Sequence, residues 1–157
     1  MKKIFFALGL IVFCSITNAA TNQWERYPDT DEGQAMYIIQ NNKYDEIRIL
    51  CNISRNQSVD HGAYFINIDG KVYKNTNSKY PVTYVFNDTE KASPAGTTDW
   101  HNGAVQWNKF VQGLAVATKI DVLVNNKKIA TFKPSFASVR DIASTIGRCE
   151  SMAYRKF

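Results

Sequence analysis

Two cysteines constrain this chain more than any other feature. If the N-terminal residues are a removable leader, Cys51 and Cys149 are the only thiols left, an even count in an exported protein. A bond between them ties the end of the chain back to an early segment. In the chain-entropy picture, closing so long a loop stabilises a fold by about 4 to 5 kcal/mol. The alternative is two unpaired buried thiols, which an oxidising compartment disfavours. Zinc would require ligands in close pairs, and two cysteines so far apart, with only His61 and His101 beside them, lack that spacing. No metal or other cofactor is expected.

The leader reading rests on Lys2 and Lys3, an apolar run over 4–16, and small residues at Thr17, Ala19 and Ala20. Gly9 and Ser15 interrupt the run, which falls short of the roughly 20 apolar residues that span a bilayer. Cleavage after Ala19 makes 1–19 a signal peptide and 20–157 a single domain, periplasmic or secreted. Cys14 does not read as a lipid-modified cysteine, because Val12 and Phe13 precede it where a small residue is needed.

Charge narrows the partners. Loss of Lys2 and Lys3 leaves 17 of the 19 basic residues against 14 acidic ones, a net charge of +3 that is too small to argue for nucleic acid. Residues 20–90 hold 7 basic and 10 acidic side chains, whereas 91–157 hold 10 and 4. The basic half suits an acidic protein, lipopolysaccharide or an anionic membrane surface. Its basic residues are nevertheless scattered, as on a solvated face.

Hydropathy patterning gives the architecture. Residues 21–33 read as an exposed lead-in anchored by Trp24 and Tyr27, and 35–40 as a short strand. Over 44–53, Ile47, Ile49, Cys51 and Ile53 alternate with Arg48, Leu50 and Asn52, the period of a strand with one buried face, so Cys51 points inward. Residues 55–62 form a polar loop. Strands follow at 63–69 and 71–73 across Asp69-Gly70, a type I′ hairpin signal with positive φ expected at both residues. Another strand covers 82–86, then a long loop 87–103. The period changes at 105–116, where Trp107, Phe110, Val111 and Leu114 share one helical face, with Gly113 inside it at a cost near 1 kcal/mol. Strands at 119–124 and 128–132 join through Asn125-Asn126. Ser135 then caps a helix carrying Phe136, Val139, Ile142, Ala143 and Ile146 on one face, which Gly147 ends just before Cys149. The sum is an α+β domain: mostly antiparallel and sandwich-like, with one inserted helix, one C-terminal helix and one disulfide.

This ordering of Ile49-Leu50-Cys51, Gly62-Ala63-Tyr64-Phe65-Ile66, a helix with Phe110 and Leu114, Ile129-Ala130-Thr131-Phe132 and a helix closing on Arg148-Cys149 resembles small exported bacterial proteins of the type VI secretion-associated and invasion-associated kinds. The likeness spans about 34–149. It implies an envelope accessory or interaction role, and it carries no catalytic residue onto this chain; virulence and immunity are the settings expected for such a role.

Chemistry is sparse. Asp99, Trp100 and His101 form the best acid–base cluster, the alternative being an exposed polar loop with Trp100 packed down, and no nucleophile motif accompanies them. Asp60-His61 is a second such pair, also in a polar loop. Tyr64, Tyr73, Tyr80 and Tyr84 are candidates for an exposed aromatic surface, although strand aromatics are more often core. Because Tyr64 and Phe65 point to opposite faces, one of them needs a second layer or a partner. The expectation is therefore a non-catalytic binding or accessory protein acting on an envelope protein partner, as an inhibitor or immunity protein would, through Trp100 and His101. The alternatives are a hydrolase built on Asp99 and His101, or a binder of acidic glycan or lipid.

Overall fold

Alternation in the first half of the chain becomes one antiparallel meander. The computed structural model describes residues 20–27, 33–53 and 60–154. The leader reading of 1–19 and the acidic part of the lead-in around Pro28 lie outside the described residues. Strands β1 (Trp24–Tyr27), β2 (Gln34–Gln40), β3 (Glu46–Asn52), β4 (Gly62–Ile66) and β5 (Val72–Lys74) pair in that order in a five-stranded sheet. The register sets Ile39, Ile47, Phe65 and Tyr73 in one inward row and Tyr37, Ile49 and Ala63 in the next, all buried. Tyr64, one residue from Phe65, faces the other way and is half-buried.

The second sheet runs β7-β6-β8-β9, with β6 (Val82–Phe86), β7 (Glu90–Ala92), β8 (Ile120–Val124) and β9 (Lys127–Phe132). Its inward rows are Phe86, Ile120, Phe132 and Tyr84, Val122, Ala130. The two sheets share one core, where Phe65 meets Phe132 edge-on at 6.4 Å between ring centroids. Helix α1 (His101–Leu114) lies between β7 and β8 in sequence and sets Phe110 4.8 Å from Tyr84 and 6.2 Å from Phe86. Helix α2 (Phe136–Ile146) and a 3₁₀ turn at Met152–Tyr154 complete an α+β fold joined by a Cys51–Cys149 disulfide. No helix among the described residues is long and apolar enough to cross a membrane.

Two strands replace expected loops. The lead-in forms β1, whose Trp24 N–H donates to Ser138 Oγ at 2.6 Å, a contact between residues 114 positions apart. Ser138 therefore belongs to the buried stripe of α2. That rotation turns Phe136 outward to 74% exposure, against the expectation that it packs inward. The 87–103 loop opens with a type I′ turn at Asn87 (φ 47°) and Asp88 (φ 67°), which folds β7 back on β6. Asn125 and Asn126 make the same kind of turn, as expected, and Ser135 caps α2 by accepting the Ser138 N–H at 3.2 Å.

The Asp69-Gly70 hairpin differs from the expected I′ form, since only Gly70 has positive φ. Asn67 N–H donates to Lys71 O and Gly70 N–H to Asn67 O, the pattern of a three-residue loop ending in a left-handed residue. The β2–β3 turn repeats it: Asn41 N–H donates to Asp45 O and Tyr44 N–H to Asn41 O. Tyr44 (φ 64°) thus occupies the position that glycine fills in the sister turn, at a cost of about 1 to 2 kcal/mol. Replacing Tyr44 by glycine is expected to hold or raise the melting temperature, and a clear fall would contradict this reading of the turn.

Gly113 is required by packing, because a Cβ there would collide with the Phe86 ring. Although alanine is the better helix former by about 1 kcal/mol, Gly113→Ala is expected to lose about 1 to 3 kcal/mol net through overpacking. Urea denaturation checks this, and a stabilised variant would show the contact to be wrong.

Candidate functional site

Around the disulfide, residues 149–153 are fastened one by one to four parts of the fold. Trp107 Nε1 donates to Cys149 O at 2.9 Å, and Ser151 N–H to Asn108 Oδ1 at 3.1 Å. His61 Nδ1 accepts the Asn52 N–H at 3.0 Å, so Nε2 carries the proton and donates to Glu150 O at 2.7 Å. Met152 N–H donates to Thr98 Oγ1 at 3.1 Å, and Ala153 N–H to Thr98 O at 2.9 Å. Thr98 is itself held by Asp60, whose carboxylate accepts the Thr98 N–H at 2.7 Å, its hydroxyl at 2.6 Å and the His61 N–H at 2.7 Å. The His61 ring lies parallel to Trp107, 7° between planes and 4.8 Å between centroids.

Residues 54–59 of the expected polar loop lie outside the described residues; His61, at the end of that loop just before β4, is buried in the core. Its burial is decided by Trp107, 46 positions away, which no local pattern shows. Its Nδ1 lies 3.6 Å from Cys149 Sγ, and the donor atoms of Cys51, His61 and Cys149 all fall within 4.8 Å of one another. Among the described residues, those three could hold a soft metal ion in a reduced chain. In the oxidised chain the sulfurs are bonded to each other and both imidazole nitrogens are engaged, so the cluster acts as a covalent clasp.

The clasp has an outward consequence. Thr98, fully buried, fixes the turn that leads into α1, and the neighbouring Thr97 Oγ1 accepts the Trp100 Nε1–H at 2.9 Å. Trp100 is the N-cap residue of α1 and stays 55% exposed. Gly103 makes the arrangement possible, since a Cβ there would strike the Thr97 carbonyl and stand 2.8 Å from Trp100 Nε1. From this tryptophan an outer helix face runs through exposed His101 and Val105 to Asn108 and Gln112. There a cleft of about 360 Å³ opens, lined also by Val111, Gly147, Cys149 and Glu150.

Of the expected site residues, Trp100 and His101 sit together at the exposed start of α1, and Trp100 is not packed down. Asp99 is exposed beside them. The four tyrosines do not share one surface. Tyr84 faces inward from β6 and is buried, which pushes its phenol pKa well up; Tyr73 is buried in the first sheet. Tyr64 and Tyr80 are half-buried, under the ammonium groups of Lys74 at 5.5 Å and Lys71 at 4.9 Å. Within the first sheet period two explains the division, because Tyr73 pairs with inward Phe65 while Tyr64 pairs with Lys74 on the opposite face; Tyr80 lies outside the strands, just before β6.

Two proteins of Escherichia coli (strain K12) are similar to this chain along nearly all of its length. The uncharacterized protein YfjT is 25% identical over 147 residues, 92% of this chain and 93% of its own. The uncharacterized protein YkfB is 22% identical over 149 residues, 94% of each. Neither carries an activity or partner across. No solved structure matches the chain. The YfjT family model matches residues 22–143, from the strand that holds Trp24 to the last helix, and the chain therefore belongs to the YfjT family.

Proposed function

We propose that this protein is an exported, non-catalytic binding module that works in the cell envelope by docking a protein partner against Trp100 and the outer face of α1. The observation that carries the reading is the exposed Trp100 held in place by Thr97, with a glycine at position 103 where a side chain would disturb it. A tryptophan whose ring is pre-set has little rotational freedom left to lose, and such residues dominate binding energy at protein interfaces. Val105 and the cleft beside Asn108 and Gln112 extend the surface along the helix. An inhibitor or immunity role, in which a small rigid domain covers a partner's working surface, suits this geometry.

Capture from envelope extracts with the oxidised mature chain tests it, using the parent and Trp100→Ala in parallel and confirming any retained protein by binding of the purified pair. Loss of the tryptophan is expected to weaken the purified pair about thirtyfold or more, with little change in thermal stability because the ring is largely exposed. A partner held equally by both chains would move the interface elsewhere. Recovery of none at all would overturn the module reading.

A further inference from the structure

Away from α1, a second exposed region has a different chemistry. A cleft of about 330 Å³ lies between the β2–β3 turn and the edge strand β9, lined by Lys43, Lys128 and Lys133 together with Asn42, Ile129 and Thr131, and by no carboxylate. Lys128 Nζ is partly answered by Asp121 at 3.4 Å. Among the described residues, no carboxylate pairs with Lys43 or Lys133.

The walls are fixed. Asn41 Nδ2 donates to Thr131 O at 3.3 Å and to Asp45 Oδ2 at 2.9 Å, while Asn41 Oδ1 accepts the Lys43 and Asp45 N–H groups at 2.8 and 3.0 Å. Asp45 Oδ1 accepts the Ile68 N–H at 3.1 Å, which locks the β4–β5 turn beside the β2–β3 turn. Each turn carries a large apolar side chain into solvent, Tyr44 at 66% exposure and Ile68 at 59%, and Ile129 is exposed in the cleft wall. Tyr44 stands at the left-handed position that glycine takes in the sister turn, so the fold keeps an exposed aromatic where backbone sterics favour none.

We infer that this end of the molecule is a membrane-surface site. The lysine cleft takes the phosphate of an anionic lipid headgroup, and Tyr44 and Ile68 enter the interfacial layer beside it. A soluble anion would use the lysines and leave the two apolar tips without contacts. A bilayer surface takes both, as interfacial elements that pair apolar side chains with lysines do.

Flotation of the oxidised mature chain with vesicles tests this, comparing phosphatidylglycerol in phosphatidylcholine with phosphatidylcholine alone. Binding is expected only with phosphatidylglycerol, falling as salt shortens the Debye length from about 10 Å at 0.1 M. The double variant Lys43→Glu/Lys133→Glu is expected to bind at least about tenfold more weakly. Tyr44→Gly, which relieves the positive φ, is expected to bind several-fold more weakly while keeping its melting temperature. Equal binding to both vesicle types, or undiminished binding by Tyr44→Gly, overturns the inference. Glycerol phosphate binding as tightly as the vesicles would assign the cleft to a soluble anion and overturn the lipid assignment. Trp100→Ala is expected to bind vesicles as the parent does, which separates this site from the partner face.

Discussion

Replacing both cysteines by alanine is expected to lower the unfolding free energy by about 4 to 5 kcal/mol, the chain-entropy value for a bond between residues 98 positions apart. For a domain of this size that is a fall in melting temperature of roughly 10 to 20 °C. Both sulfurs are fully buried, and alanine leaves no orphaned polar group behind, so the loss reports the cross-link with only a small cavity contribution. Reduction of the parent chain should reproduce the shift. The bond does more than add stability, because it holds Cys149 where the Trp107 indole reaches its carbonyl and where His61 reaches the next one. An alanine pair melting with the parent would mean that the hydrogen bonds of residues 149–153 suffice without it.

Trp107→Ala is expected to cost about 3 to 5 kcal/mol. The ring is fully buried, stacks on His61, packs 5.5 Å from Phe110 and donates to Cys149 O. Its removal leaves a cavity, an unpaired carbonyl and an imidazole without its stacking partner. Trp107→Phe keeps much of the packing and gives up the hydrogen bond, so it is expected to lose noticeably less than alanine in the same denaturation series. If the two substitutions cost the same, the hydrogen bond to Cys149 O rather than the stack holds the C-terminal segment.

How much of this was legible in the sequence depended on whether the deciding contact was local. The alternation of Ile47, Ile49 and Cys51 placed the cysteine inward, and Asn125-Asn126 and Ser135 marked a turn and a cap, because each of these depends on near neighbours. β1 is not legible, since its Trp-Glu-Arg-Tyr carries no alternating pattern and is held by β2 and by Ser138 far along the chain. β7 is hidden because Asn87-Asp88 makes a type I′ turn without the glycine that advertises one. The Asn-Asp pair after an apolar run was the available signal. For the clasp, Cys51 and Cys149 were readable by counting, whereas His61, Asp60 and Thr98 were not: their burial follows from Trp107 and the C-terminal segment. Trp100 and His101 stood out by residue type, but the support given by Thr97 and Gly103 emerges only once α1 begins at His101.

The clasp and the proposed partner face are one construction, since Thr98 is tied to Asp60 and the C-terminal segment on one side and leads directly to Trp100 on the other. The most direct test is site-specific photo-crosslinking in living cells, with a benzophenone side chain at Val105, exposed on the helix face beside Trp100, and at Asp69 in the β4–β5 turn as control. A single protein adduct from position 105 that is absent from position 69, and that disappears when Trp100→Ala is added, is the expected result. No adduct from position 105, or the same adducts from both positions, would contradict a partner face on α1.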